Sequence, residues 1–178
     1  MTRIMIIGSG GSGKSTFAAE LGNVLQIPVY HLDAYYWKPG WVPTPNDEWD
    51  QFLNQLVQED EWIIDGNYGR TLDIRMKKSD VIIFFDLSPW ITTCRVIKRR
   101  ITYHGKTRPD LHEGCPEKLD WNFIQWVWNF RKTKKPGILE MIRKCGKDKR
   151  VIVFQNIAQV RECLKSVKDK GEKYFEEG

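Results

Sequence analysis

Five short apolar runs, separated by segments with helical periodicity, constrain the fold of this chain more than any other feature. The runs are rich in β-branched residues and nearly continuous, as is typical of strands buried on both faces of a sheet. They are RIMIIG (3–8), PVYHLD (28–33), WIIDG (62–66), VIIFFDL (81–87) and RVIVFQ (150–155). The alternation of strands and helices predicts an α/β fold with a parallel sheet, right-handed crossovers and helices on both faces.

The segments between and after these strands have helical patterns. They are 14–25, 46–58, 89–101, 116–130, 136–145 and 158–170. Asn46 is a candidate N-cap, and Pro89 suits a first helical turn. The length of 178 residues suits a single domain over 1–178.

Two segments are too long and irregular to be simple connections, namely 34–45 (AYYWKPGWVPTP) and 102–115 (TYHGKTRPDLHEGC). Insertions of this kind are often functional loops or lids, although surface decoration is the alternative. We expect an acceptor-side loop and helix over about 34–60 and a basic lid over about 102–135.

The strongest motif is GSGGSGKS (8–15), which matches G-x-x-x-x-G-K-[ST] between a strand and a helix. Glycines let backbone N–H groups wrap a phosphate, and the helix N-terminus adds positive charge. Lys14 would reach the β- and γ-phosphates of ATP, and Ser15 would bind Mg²⁺. The predicted nucleotide-binding residues are Gly8, Gly10, Gly11, Ser12, Gly13, Lys14, Ser15 and Thr16. The alternative is a flexible Gly/Ser-rich turn.

The stretch WIIDGNYGRT (62–71) adds two candidates. Asp65 ends an apolar strand, where an aspartate of the Walker B type would hold Mg²⁺ directly or through water. A strand-capping Asx turn is the alternative. Arg70 leaves the same edge and is a candidate for holding an anionic group of an acceptor. No N-K-x-D follows the last strand, which argues against a GTPase and favours a small phosphoryl-transfer enzyme.

Four elements resemble the adenylate-kinase-like group of small nucleotide kinases over about residues 1–100. They stand here as GSGGSGKS, IIDGNYGR, VIIFFDLSP and RVIKRR. The family's turn after the strand aspartate reads D-G-[apolar]-P-R, whereas this chain has the longer GNYGR, which leaves the acceptor open. The resemblance implies a three-layer P-loop fold, for which we expect the strand order 2-3-1-4-5, and ATP–Mg²⁺-dependent transfer to a nucleoside or nucleotide.

The whole chain resembles more closely the bacterial topology modulation proteins, which are FlaR-related. The segments that carry this resemblance are HLDAYYWKPGW, WIIDGNY, GKTRPD and GCPEKLDW with WVWNF. The name of that group implies an effect on DNA supercoiling, whereas its motifs are those of a kinase. The chemistry of the motifs outweighs the name in our interpretation.

The kinase resemblance implies roles for four arginines. Arg95 would stack near the nucleotide base, and Arg99 would contact phosphates at the base of the lid. Arg108 in the lid and Arg131 after it would close over the transferring phosphoryl group, where positive charge stabilises the transition state. The alternative for each is a solvated surface charge.

Asp33 ends the second predicted strand at the same carboxyl edge as Asp65, where ligands of open α/β sheets bind. Related kinases with hydroxyl acceptors place a base or a Mg²⁺-linked carboxylate there, so Asp33 is a candidate base. His31 is expected to pack. The aromatic cluster of Tyr35, Tyr36, Trp37 and Trp41 falls where the acceptor would dock. Its members, Tyr36 and Trp37 first, are candidates for stacking on a base or sugar, with packing of the loop as the alternative.

Charge is unevenly distributed. Residues 95–150 hold 16 Lys/Arg and 6 Asp/Glu, whereas the rest of the chain holds 12 and 17. This basic block suits the lid of a kinase, and it also supports the competing interpretation of a nucleotide-binding regulator that acts on DNA.

His104, His112 and Cys115 fit no standard zinc spacing, and the four cysteines suit reduced thiols. The absence of a signal-like start or membrane span leads us to expect a cytoplasmic protein, as either a monomer or a dimer.

Overall fold

The computed structural model describes residues 2–103, 114–115 and 120–176. Arg108, His104 and His112 lie outside the described residues, as does most of the segment predicted to form a lid. The predictions for these residues therefore remain predictions.

The described chain forms an α/β fold around a parallel sheet. The strands are β1 (Arg3–Gly8), β2 (Val29–His31), β3 (Trp37–Lys38), β4 (Val42–Pro43), β5 (Trp62–Asp65), β6 (Val81–Phe85) and β7 (Arg150–Phe154). The helices are α1 (Lys14–Leu25), α2 (Leu32–Tyr36), α3 (Asn46–Leu56), α4 (Leu72–Lys78), α5 (Pro89–Thr102), α6 (Trp121–Thr133), α7 (Lys135–Cys145), α8 (Ile157–Lys170) and α9 (Lys173–Glu176). A 3₁₀ turn at Gly69–Thr71 precedes α4.

The main sheet has the order β2-β5-β1-β6-β7, and its neighbouring strands are parallel. The predicted order 2-3-1-4-5 numbered only five strands. The labels used here also count the antiparallel hairpin of β3 and β4, which was not predicted and lies between the second and third sheet strands in the chain. Counted among the five sheet strands alone, the spatial order is the second, third, first, fourth and fifth.

Side chains of the sheet alternate between two cores. Ile4 and Ile6 of β1 pack with Phe17 of α1 and Val167 of α8 on one face. The opposite core contains the alternate strand residues together with side chains from α3, α4, α6 and α7, among them Met5, Ile7, Trp49, Leu53, Met76, Phe130 and Ile138. Helices therefore cover both faces, which explains why the strands read as continuous apolar runs.

The segment 34–45 is more regular than its composition suggests. Its first residues complete α2, and the hairpin of β3 and β4 follows. The buried Thr44 hydroxyl lies within hydrogen-bonding distance of the Tyr35 and Tyr36 carbonyl oxygens, at 3.1 and 2.9 Å, which fastens the end of the hairpin to α2. Gly40 and Trp41, at φ 78° and 64°, form its tip. The expectation of an irregular loop was wrong because hydrogen bonds between residues eight and nine positions apart leave no periodic pattern in the sequence.

Two smaller predictions also need correction. Asn46 is the first residue of α3, and Pro45 occupies the N-cap position. Helix α4 was missed because its seven residues are too few for a clear periodic pattern. None of the helices in the described ranges is long and apolar enough to cross a membrane.

Candidate active site

The carboxyl ends of the central strands meet above one large cavity of about 1220 Å³. The P-loop follows β1, Asp33 follows β2 and Asp65 ends β5, so the parallel topology brings all three to the same edge. From the P-loop the cavity is lined by Gly8, Gly10, Gly11, Ser12, Gly13, Lys14, Ser15 and Thr16, and beyond it by His31, Asp33, Trp37, Trp41, Asp65, Asn67, Tyr68, Arg95 and Arg99.

The P-loop has a backbone that only glycine can form at its closest approaches. Gly11 has φ 72°, and a Cβ there would overlap the Thr92 carbonyl oxygen of α5. A Cβ on Gly8, at φ 151°, would lie 2.7 Å from the Cβ of Phe85. The loop thus packs closely against β6 and α5, and Gly8 and Gly11 have no side chain between its backbone and the cavity.

The loop and the start of α1 fit a bound phosphate. Gly13 is the N-cap of α1 and supplies no side-chain cap, so the first N–H groups of the helix stay available to an anion. The Ser12 hydroxyl is buried and has no hydrogen-bond partner among the described residues. The Lys14 ammonium donates to the Ser9 carbonyl oxygen at 3.0 Å, within the loop.

Arg95 and Arg99 of α5 line the cavity beside the P-loop. Arg95 donates through Nη1 to the Ser12 carbonyl oxygen at 3.4 Å, and the same nitrogen would lie 3.5 Å from a Cβ on Gly13. Arg95 therefore lies against the P-loop and Arg99 lines the same cavity, while their roles toward a nucleotide stay predictions.

His31 and Asp65 form a close pair on the cavity wall. The His31 Nδ1 atom lies 2.7 Å from Asp65 Oδ2, and the Asp65 side chain is almost fully buried. Sequence reasoning expected His31 to pack rather than act, and missed this contact because it joins neighbouring strands 34 residues apart. The pair places an imidazole next to the carboxylate predicted to bind Mg²⁺.

Asp33 receives a hydrogen bond from a residue that the sequence did not single out. The Tyr68 hydroxyl donates to Asp33 Oδ1 at 2.7 Å. Burial raises the pKa of the Tyr68 phenol, and the neighbouring charge of Asp33 raises it further. The phenol therefore stays protonated at neutral pH and remains a donor to the Asp33 carboxylate.

Arg75 of α4 holds the turn that carries Tyr68. Its fully buried guanidinium donates to the Gly66 oxygen at 2.9 Å, the Tyr68 oxygen at 2.8 Å and the Thr71 oxygen at 3.3 Å. Burial lowers the pKa of Arg75 to about 10, against the raising effect of Tyr68 and Asp65, so the group is still charged at neutral pH. Sequence reasoning missed this residue because α4 itself was not predicted.

The predicted aromatic cluster divides into two parts. Trp37 and Trp41 line the cavity, with ring centroids 5.6 Å apart and planes at 67°. Tyr36 instead packs between Trp49 and Tyr68, at centroid distances of 5.0 and 4.6 Å, and does not line the cavity. Trp37 and Trp41 are therefore placed where they could stack on a ligand, whereas Tyr36 has a packing role.

Two predicted arginines are engaged elsewhere in the structure. Arg70 binds Asp50 of α3 at the surface, with N–O distances of 2.7 to 3.1 Å, and does not line the cavity. Arg131 donates through Nε to Asp86 Oδ1 at 2.9 Å, and Lys135 donates to Asp86 Oδ2 at 2.6 Å. Asp86, buried just after β6, is a further residue that sequence reasoning did not single out.

The described residues contain no cluster of three or more His, Cys, Asp or Glu side chains that would hold a metal by themselves. All four cysteines are free, as expected. Cys115 is buried, and its thiol lies 3.3 Å from the Lys38 carbonyl oxygen. Ser15 and Asp65 both line the cavity, so a divalent cation held there would need ligands from a bound nucleotide as well.

No family model matches the chain, and no curated protein matches it. Solved structures do match it over nearly their whole lengths. The Bacillus subtilis YorR protein, solved with phosphorylated GDP, is 17% identical with a TM-score of 0.55, and the match covers 98% of each chain. A gluconokinase from Sinorhizobium meliloti is 16% identical with a TM-score of 0.52, covering 99% of this chain and 98% of the other.

A shikimate kinase from Bacteroides thetaiotaomicron is 16% identical with a TM-score of 0.50, covering 96% of this chain and 98% of the other. The chain has the fold of P-loop small-molecule kinases. At these identities the likeness to the kinase structures concerns the fold alone. The narrower resemblance to topology modulation proteins has no support from these matches.

Proposed function

We propose that this protein transfers a phosphoryl group from ATP to a hydroxyl or phosphate of a small acceptor, with a nucleoside or nucleotide as the acceptor class. One observation carries the proposal. A single cavity joins a complete P-loop, which follows β1 and includes Lys14, to the carboxylate of Asp33, which follows β2. In the sheet, β5 lies between these two strands. This is the arrangement that in-line transfer between a donor and an acceptor requires.

The donor end of the cavity would hold the triphosphate. Backbone N–H groups of the P-loop and Lys14 would bind its phosphates, and Arg95 would lie against the base. Mg²⁺, bound with the nucleotide, would offset the charge of the β- and γ-phosphates. Ser15 and Asp65 would hold that ion, and His31 would orient the Asp65 carboxylate through the contact between them.

The acceptor end would position a hydroxyl group against Asp33. The Tyr68 hydrogen bond fixes the carboxylate, which would accept the proton of the attacking hydroxyl. Trp37 and Trp41 would cover a flat part of the acceptor. Arg99, Arg108 and Arg131 would stabilise the transferring group, and Arg131 would have to leave Asp86 to do so.

The competing function is that of a regulator that binds DNA through residues 95–150. The described part of this region is partly neutralised, because Arg131 and Lys135 bind Asp86, which lies outside the region, and Lys144 binds Glu140. Affinity for DNA that falls steeply with salt and is indifferent to ATP would favour this alternative over a kinase.

The test is a screen for acceptor-stimulated ADP release with ATP, Mg²⁺ and a panel of nucleosides, nucleotides and small metabolites. Lys14→Ala should abolish the stimulated turnover while leaving the fold intact. Lys98→Ala, which changes an exposed lysine of α5, is the matched control and should retain activity. Turnover that is unchanged in Lys14→Ala, or that no acceptor stimulates, would contradict the proposal.

A further inference from the structure

The acceptor half of the cavity, which we define as the part lined by side chains between His31 and Tyr68, is acidic, although the protein as a whole is basic. Residues 29–75, some of which line this half, hold 9 Asp/Glu and 3 Lys/Arg, but most of these charged side chains lie outside the cavity. The two carboxylates that line the cavity there are Asp33 and Asp65. Residues 95–150, which contribute Arg95 and Arg99 to the donor half, have the opposite balance.

Each of the three cations in residues 29–75 has a partner outside the cavity. Lys38 pairs with Glu48 of α3 at 2.9 Å, and Arg70 pairs with Asp50. Arg75 is buried, and its three donating nitrogens point at backbone carbonyl oxygens of the turn that follows β5. None of the three lines this cavity, although Lys38 lines a smaller cavity that shares His31 and Trp37 with it.

Apart from His31, which pairs with Asp65, the other residues that the structure describes in the walls of this half are aromatic or uncharged. Trp37 and Trp41 form a corner at the tip of the hairpin, and Tyr68 and Asn67 face it from the turn after β5. The Tyr68 hydroxyl is already committed to Asp33. Ring faces of this kind favour stacking with a flat, uncharged group, and the carboxylates favour hydroxyl or amino donors over anions.

We propose that the acceptor is a ring-bearing alcohol without an anionic group, such as a nucleoside, and that nucleoside monophosphates and sugar acids are excluded by the acidic acceptor half. This inference rests on the proposed function and narrows it. An anion placed beside Asp33, where no cation of residues 29–75 lines the cavity, would be repelled at short range in a partly desolvated cavity, whereas the charge of Asp65 would be offset by the Mg²⁺ that it is proposed to hold.

The test compares acceptors that differ only in charge. Adenosine and AMP, cytidine and CMP, and glucose and gluconate are each offered with ATP and Mg²⁺, and the products are separated by anion-exchange chromatography. The neutral member of at least one nucleoside pair should have a kcat/KM about tenfold or more above that of its anionic partner. The reaction with adenosine should stop at AMP. A monophosphate or gluconate used as well as its neutral partner would overturn the inference and leave the proposed kinase function standing.

Measurements of acceptor binding test the preference for a neutral acceptor independently of turnover. Calorimetry in the presence of ADP and Mg²⁺ should show tighter binding of adenosine than of AMP, and the difference should shrink when ionic strength rises from about 0.05 to about 0.5 M, because salt screens repulsion. Asp33→Asn should also reduce the preference, whereas Asp60→Asn, at an exposed site, should keep it. Tighter binding of AMP, or no binding of any neutral member, would overturn the inference. If the neutral member binds but no acceptor is phosphorylated, the failure belongs to the proposed function.

Discussion

The Tyr68 hydroxyl and the Asp33 carboxylate are joined by a hydrogen bond of 2.7 Å that links the turn after β5 to the helix after β2. The bond spans 35 residues of chain and lies on the wall of the cavity. It ties the orientation of the candidate base to a turn that is unlike the corresponding turn of adenylate-kinase-like enzymes.

Replacing Tyr68 with phenylalanine should lower kcat by about ten- to a hundredfold, because a hydrogen bond to a charged group contributes about 1.5–3 kcal/mol. The affinity for ATP should change little, since the hydroxyl faces the acceptor half. Steady-state kinetics with the acceptor identified by the screen measure both. Tyr35→Phe, which alters a ring that stacks on Phe52 at the surface, is the control. A kcat equal to that of the control would show that the bond does not support catalysis.

Asp33→Asn should damage transfer far more than nucleotide binding. The amide keeps the shape of the carboxylate but cannot accept the proton of an attacking hydroxyl. We expect kcat to fall by about 10²–10⁴-fold, the usual contribution of a general base, while the Kd of a fluorescent ATP analogue stays the same. Unchanged kinetics would reduce Asp33 to a turn residue.

Removing the Arg75 guanidinium should destabilise the protein. Arg75→Leu leaves three carbonyl oxygens without their donor in a buried site, and we expect unfolding in urea to require about 3–5 kcal/mol less free energy. Arg70→Leu breaks a surface pair with Asp50 and should cost about 1 kcal/mol or less. Equal losses in the two variants would contradict the structural role of Arg75.

Gly11→Ala should abolish ATP binding, because the added Cβ would overlap the Thr92 carbonyl oxygen and the backbone φ of 72° disfavours alanine. Gly137→Ala is the matched control, since no atom lies within 4 Å of a Cβ built there and the residue sits within α7. It should raise stability by about 0.5–1 kcal/mol and leave nucleotide affinity unaltered. Retained ATP affinity in Gly11→Ala would show that the loop adapts.

The parts of the molecule that could be predicted are those that leave a local pattern. The five strands of the main sheet, α1 and the P-loop follow from periodicity and from glycine spacing, and α1 begins and ends where its pattern does. The pairs His31–Asp65, Tyr68–Asp33 and Arg131–Asp86 could not be predicted, because each depends on which strands become neighbours. Arg70 was misjudged for the same reason, since its partner lies on α3.

The hairpin of β3 and β4 pairs with no strand of the main sheet, yet it supplies both tryptophans of the acceptor half. Its hydrogen bonds run to α2 through Thr44 and to Gly114 through the N–H of Gly40. The hairpin is therefore a structural unit separate from the main sheet. Substitutions within residues 37–43 should therefore change the acceptor preference of the proposed kinase without disturbing the P-loop.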